Sequence, residues 1–298
     1  MRGPLGAGLL LVGGLAAMAL AAPLLTSAGL LSHPNATTAG GKLLPPGSGH
    51  PLGTDELGRD VLSRIAHGAR PSLTVALMAT AVALLLGIPA GALAGLRGGA
   101  WDLVLTRLME LTASLPALPV ILVVMSLTLH GDGTAGPGAI PLIAATIGVM
   151  RWAGIARYVR GGIWKSRVED YVAGTLALGS GRWRLLGRHL LPAALTPALV
   201  SAAFGAGSAV LLESALRFLG LGTRAPDPSW GHMISRAALT PEAWWLLAFP
   251  GLAIALLVIG FNLLAEGLRL RTAAPGAEGR RWPDSLPGDP AGAPVRRA

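Results

Sequence analysis

The sequence predicts an all-α integral membrane protein of about six transmembrane helices. Three observations lead there. Of 298 residues, 52% are hydrophobic and only 13% are charged, whereas soluble domains carry about 25% charged residues. Mean hydropathy is +0.58. The apolar residues fall in long runs divided by Pro-, Gly- and Arg-rich connections, the pattern of membrane spans.

A spanning helix needs roughly 20 mostly apolar residues. The first qualifying stretch runs from Leu5 to Leu31. Arg2, an apolar run and Ala19-Leu20-Ala21 also fit a secretory signal, but a signal core is about 7–15 residues and this run is much longer, which favours a retained helix. The second runs from Leu73 to Leu96, and the third from Leu103 to Leu129 with Arg107 and Glu110 near its start. The fourth, Ile140 to Ile155, is interrupted by Arg151. The fifth runs from Leu191 to Leu212 and the sixth from Trp244 to Leu264. There is no internal repeat.

Lys and Arg accumulate on the cytoplasmic side of a membrane protein. With a cytoplasmic N-terminus, about 17 of the 24 basic residues fall inside: Arg2, Arg97, Arg107, the Arg151–Arg188 cluster and the tail from Arg269 onward. Both termini are therefore expected in the cytoplasm. Ser32 to Ser72 is then a long external connection. Gly98-Gly99 makes a tight inside turn, His130 to Gly138 a short outside loop, and Gly220 to Glu242 a Pro-rich outside loop. The expected organisation is an N-terminal helix with its external loop (1–72), a helical core (73–271) and a disordered tail (272–298) rich in Pro, Gly and Arg.

The long inside loop, 160–192, carries the most information. Asp170 can cap a short helix over the following residues, because its carboxylate accepts from free backbone N–H groups. Gly179 can end that helix in the left-handed region. A second helical stretch, Trp183 to Leu191, carries Arg184 and Arg188, and Pro192 sits where a new helix can start. The loop reads as helix, glycine turn, helix on the membrane surface. From periodicity alone an ordinary amphipathic connector fits equally well.

Other segments stand in fixed order along the chain. They are Gly53-Thr54-Asp55-Glu56-Leu57-Gly58-Arg59-Asp60-Val61-Leu62-Ser63-Arg64, Leu115-Pro116, Phe218-Leu219-Gly220-Leu221-Gly222, Pro228-Ser229-Trp230-Gly231, Phe249-Pro250-Gly251 and Phe261-Asn262-Leu263-Leu264. Together with Gly179 and Leu191-Pro192 they resemble the inner-membrane permeases of ABC importers for dipeptides, oligopeptides and nickel, specifically the second permease subunit. The resemblance covers about Gly53 to Arg269. That family's inside loop reads Glu-Ala-Ala, three residues, Gly, then Leu-Pro. Here the triplet is Ala173-Gly174-Thr175, so the glutamate is absent and the nearest acid is Asp170.

The resemblance implies a transport subunit with no covalent chemistry of its own, working by alternating access in the plasma (inner) membrane of a prokaryote. Its implied partners are a homologous permease, two ATP-binding-cassette ATPase subunits and an extracytoplasmic solute-binding protein, with ATP and Mg held by the ATPases. Asp170, Ala173, Gly174, Gly179, Leu191 and Pro192 would form the ATPase-coupling loop. Gly53, Thr54, Asp55, Gly58, Arg59 and Asp60 would form the family's external signature.

Composition narrows the alternatives. The chain has no cysteine, so disulfides and thiolate sites are excluded. Its net charge of +9 follows the arginine bias of inside loops, without the interleaved aromatics that nucleic-acid binding requires. A phosphate loop needs Gly-x-x-x-x-Gly-Lys-[Ser/Thr], and neither Lys42 nor Lys165 stands in that setting. No His-Glu-x-x-His pair marks a metal site. A stand-alone secondary transporter would want coupling carboxylates near mid-membrane. The candidates here, Glu110 and Glu213, lie near helix ends. Glu213 has Arg217 one turn on, which allows either an i,i+4 pair or solvation at the interface. An intramembrane hydrolase would want a Ser–His pair at membrane depth. Ser208 follows Gly207 in the fifth span, where small residues serve packing, and all six histidines fall in expected loops.

Overall fold

The computed structural model describes residues 3–38, 41–47, 49–127, 139–169, 181–221 and 227–272. Within them the regular secondary structure is helical, apart from two isolated β-bridges, Thr37 to Arg59 and Thr54 to Asp60. Helix α1 spans Pro4–Ser27, α2 Val61–Arg97, α3 Gly99–Ser114, α4 Ala117–Ser126 and α5 Ala139–Arg167. A single turn, α6 (Arg182–Leu185), passes through a π turn (Leu186–Leu190) into α7, Leu191–Phe218. Two more follow: α8, Trp230–Ala237, and α9, Trp245–Thr272. Among the described residues, α1, α2, α5, α7 and α9 are each long and apolar enough to cross a membrane, and α3 and α4 together pass the same test as a bent pair, the geometry of a broken span or a re-entrant loop.

Four features depart from the hydropathy reading. The third span is broken, not straight: α3 and α4 meet at 82°. Leu115 is extended (φ −79°, ψ 127°), the region into which a following proline forces a residue, and Pro116 has no N–H to carry the helix on. Second, α2 starts at Val61, twelve residues before the apolar stretch, because Asp60 caps it by accepting from the Ser63 N–H. At 1.5 Å per residue its 37 residues reach about 55 Å, well beyond a hydrocarbon core of about 30 Å. Its first turns are polar yet covered by protein, which hydropathy cannot register. Third, the Gly220–Glu242 connection holds a helix, α8, capped by Ser229.

Fourth, Trp183 to Leu191 is no separate surface helix. The backbone stays helical from Arg182 to Phe218. The π turn lies directly before Pro192, and Leu191 N–H donates five residues back to Leu186 O. The proline ring excludes the ordinary i−4 bond, and the wider turn absorbs it.

Close approach of small residues sets the packing. Helices α2 and α5 run parallel. A Cβ on Gly87 would meet Ile155 Cβ at 2.6 Å, one on Gly91 would meet Ala156 O at 2.4 Å, and one on Gly95 would meet Ile163 Cβ at 3.0 Å. Glycine every fourth residue lets two backbones touch, which is how helices associate where lipid removes the hydrophobic drive. Helix α1 lies antiparallel to α9: Gly8 abuts Leu264 and Gly267 abuts Leu5.

The bundle therefore has two distinct ends. One gathers the end of α1, the starts of α2 and α9, the end of α7, and α8. The other gathers the start of α1, the end of α9, the Gly98-Gly99 turn, the end of α5 and the start of α6.

Candidate transport site

The first end is held by the signature segment, and all six of its expected residues are buried: Gly53, Thr54, Asp55, Gly58, Arg59 and Asp60. Asp55 organises it. Its Oδ1 accepts from Leu57 N and Arg59 N, both at 2.9 Å, and its Oδ2 accepts from Arg59 Nε at 2.6 Å. Arg64 Nε lies 3.6 Å from the same carboxylate, and Arg64 Nη1 donates to Pro34 O at 3.1 Å. Asp60 caps α2 and pairs with His50 Nδ1 at 2.9 Å. Thr54 Oγ1 accepts from Leu44 N and donates to Gly41 O.

Two tryptophans close the assembly. Trp245 Nε1, at the start of α9, donates to Thr54 O at 3.0 Å. Trp230 of α8 is fully buried and donates to Ile65 O at 2.9 Å. The signature is thus a clamp that fixes the connection between α1 and α2 to α2, α8 and α9. A buried indole N–H and carboxylate need such partners.

His232 sits against this clamp, facing Arg59, Arg64, Arg236 and Glu56. Burial, reinforced by Arg236, holds its imidazole below the ordinary value. Between the ordinary and the lowered value the unfolded chain binds a proton that the folded chain does not. Stability therefore falls as pH falls through that window and is recovered above the ordinary value. The melting midpoint of purified protein should drop from about pH 7.5 to about pH 5.5, and drop less in His232→Gln. Equal slopes in the two proteins would remove His232 as the cause.

Of the two intramembrane carboxylates, Glu213 is fully buried and pairs with Arg217, which is itself 4% exposed. Ser72 Oγ on α2 donates to Glu213 Oε2 at 2.8 Å. The solvated alternative is thereby replaced by a buried bridge between α2 and α7. Glu110 is exposed on α3 and pairs with Arg107 at 2.7 Å.

Midway along the bundle a cavity of about 220 Å³ opens between α2, α3, α5 and α7. Its walls are mostly Ala and Gly, with Thr80, Arg151, Arg157 and Ser201 as polar members. Arg151 stands twelve residues from the start of α5 and sixteen from its end, about 18 and 24 Å along the axis. It belongs to the middle of a span and not to an inside cluster of arginines. Gly205 of α7 makes room for it: a Cβ there would meet Arg151 Nε and Nη2 at 3.0 Å. Sequence reading passed Arg151 over as a break in hydropathy. A charge within a span is itself the signal, since such residues face a path or a partner.

At the second end, the residues flanking 170–180 are braced. Arg167 Nη1 donates to Gly95 O at 2.9 Å. Arg160 holds Asp102 through two bonds and lies 4.4 Å over the Trp164 ring. Leu185, Leu186 and Leu190 are buried in one cluster with Leu96, Val159 and Ile163. Leu191 and Pro192 begin α7 as expected. Asp170, Ala173, Gly174 and Gly179 lie outside the described residues, as do the 128–138 loop and the 273–298 tail.

Gly207 packs α7 on α9, with Phe261 Cβ 3.6 Å from where its Cβ would be, and Ser208 Oγ bonds Phe204 O in its own helix. Among the described residues no group of His, Asp and Glu is arranged to hold a metal.

Comparison with known proteins fits this architecture. Residues 87–272 match the family described as the binding-protein-dependent transport system inner membrane component. The chain is 36% identical over 242 residues to the "Probable D,D-dipeptide transport system permease protein DdpC" of Escherichia coli, covering 80% of this chain and 78% of that one. It is 38% identical over 228 residues to the "Dipeptide transport system permease protein DppC" of Bacillus subtilis, covering 76% and 69%. The fold resembles a chain of the inward-facing MetNI methionine ABC transporter, with TM-score 0.56 and 16% identity over 70% of this chain and 95% of that one. This chain belongs to the binding-protein-dependent transport system inner membrane component family, as a membrane-spanning permease subunit of an ABC-type importer and not as an enzyme.

Proposed function

We propose that the chain imports small peptides, paired with a homologous permease, driven by two ATPase subunits and supplied by an extracytoplasmic solute-binding protein. The observation that carries the peptide reading is 34–38% identity to several permeases named for dipeptide, di/tripeptide and oligopeptide transport. ATP and Mg belong to the ATPase subunits. The end of the bundle bearing Arg97, Arg160, Lys165, Arg167 and Arg269 faces the cytoplasm, in keeping with the positive-inside bias, so both termini are cytoplasmic and the membrane is a prokaryotic inner membrane.

The segment 170–180 is the coupling element. Its flanks support that role: a motor closing on ATP must push on something rigid, and the Arg167 bond and the buried Leu185, Leu186 and Leu190 tie the flanks to α2 and α5. The test is uptake of labelled di- and tripeptides by the complete importer in proteoliposomes. ATP-dependent accumulation is expected, and its absence in a complex that still hydrolyses ATP would refute peptide transport. Gly179→Val is expected to insert normally, because spans decide insertion, while uptake is lost and the ATPases dissociate or idle. Normal uptake with the ATPases bound would reduce the segment to a connector.

A further inference from the structure

We propose that Arg151 is an anion-recognition residue of the transport path, where its guanidinium receives the carboxylate of the passing solute at mid-membrane. The inference rests on the peptide reading in taking that anion to be the C-terminal carboxylate of a small peptide.

Four observations converge. The cavity has two guanidinium-bearing lining residues, Arg151 and Arg157, and no Asp or Glu among its described lining residues. Among the described residues no carboxylate forms a salt bridge with Arg151. This contrasts with several of the chain's other arginines, which are paired: Arg107, Arg160, Arg217 and Arg269. Gly205 has no side chain where the guanidinium lies, so the helix opposite is shaped around it. The remaining walls are Ala, Gly, Met150, Ile155 and the hydroxyls of Thr80 and Ser201, and the small residues leave space for chain atoms beside a bound carboxylate.

The chemistry is specific. A cation at this depth is costly unless it meets an anion or water. A planar guanidinium offers paired donors that match a carboxylate, and this arrangement is stronger than a neutral hydrogen bond. Most of the flanking side chains are short, so they make little demand on the residues of the peptide. A site that grips the one group common to all free peptides accepts many sequences while rejecting solutes that lack it. Transport also requires release, and a guanidinium in a cavity that is not closed over holds its ligand less tightly than a closed multi-donor site.

The test uses the complete importer in proteoliposomes with trialanine and trialanine amide, each supplied above saturation of the binding protein. The wild type should import trialanine roughly tenfold or more faster than the amide, the scale of one charge-assisted hydrogen bond. Arg151→Gln should slow trialanine far more than the amide, so that the ratio of the two rates falls to about one. Arg151→Lys should restore most of the preference, and the concentration dependence on binding protein should not move. If Arg151→Gln keeps the wild-type preference, the proposal fails. It also fails if both peptides slow by the same factor and Arg151→Lys is no better, since that is the behaviour of a structural residue, such as one paired with a neighbouring subunit. Import of neither peptide by the wild type would overturn the peptide reading and this inference together. Import with unchanged discrimination in Arg151→Gln would overturn this inference alone.

Discussion

Gly91→Val is expected to abolish accumulation of the folded permease. The added Cβ would stand 2.4 Å from Ala156 O, 2.8 Å from Val159 Cβ and 3.0 Å from Ala156 Cα. No side-chain rotation relieves a clash with backbone, so α2 and α5 must separate. Overpacking a well-packed interior costs about 1–3 kcal/mol where side chains can yield, and a backbone contact costs more. Separation would also pull Gly87 and Gly95 from Ile155 and Ile163, loosening the seam on which the end of α5 and the start of α6 rest. The measurement is the membrane level of the chain and the melting midpoint of purified complex. Gly161→Ala is the control, because a Cβ there meets nothing within 4 Å. If Gly91→Val accumulates and melts like Gly161→Ala, the seam does not hold the fold.

Glu213→Ala is expected to have the second largest effect. It removes the carboxylate from a pair buried between α2 and α7, along with the acceptor of the Ser72 hydroxyl. Removing one partner of a buried ion pair costs on the order of 3–5 kcal/mol, because the remaining charge loses its compensation and not because the pair itself is strongly favourable. Glu213→Gln should cost less, since it keeps the shape and an acceptor for Ser72. The double variant Glu213→Ala/Arg217→Ala should recover part of the loss, which a thermal-melting cycle reads as coupling between the two sites. Losses that simply add would show that the two side chains act independently.

Much of this protein was legible in its sequence. The membrane class and the spans follow from hydropathy, because a bilayer demands long apolar runs whatever the neighbours are. Gly98 and Gly99 announced the turn between α2 and α3, and both adopt positive φ there (65° and 56°). The motifs from Gly53 to Leu264 carried the family, because their order and spacing survive as text. Asp60 and Ser229 stand within those motifs, yet their capping roles are visible only in place: a cap is recognised once the helix behind it is known.

What only the tertiary structure decided concerns contacts between residues distant in sequence. Hydropathy treats each residue alone. It therefore missed the polar first turns of α2, which stay buried because Trp230, Asp55 and the connection between α1 and α2 cover them. It read Leu103–Leu129 as straight, because both arms are apolar and only the local geometry at Leu115-Pro116 breaks them. It left Glu213 undecided between a buried pair and solvation, a question settled by Ser72, 141 positions away. It treated Arg151 as an interruption, whereas the packing of α2, α3, α5 and α7 places it on a cavity beside Gly205. The sequence by itself determined which segments cross the membrane, since that is a transfer energy summed along the chain. The fold alone determined which charges those crossings enclose, since a charge in lipid is tolerated only through the neighbours that packing supplies.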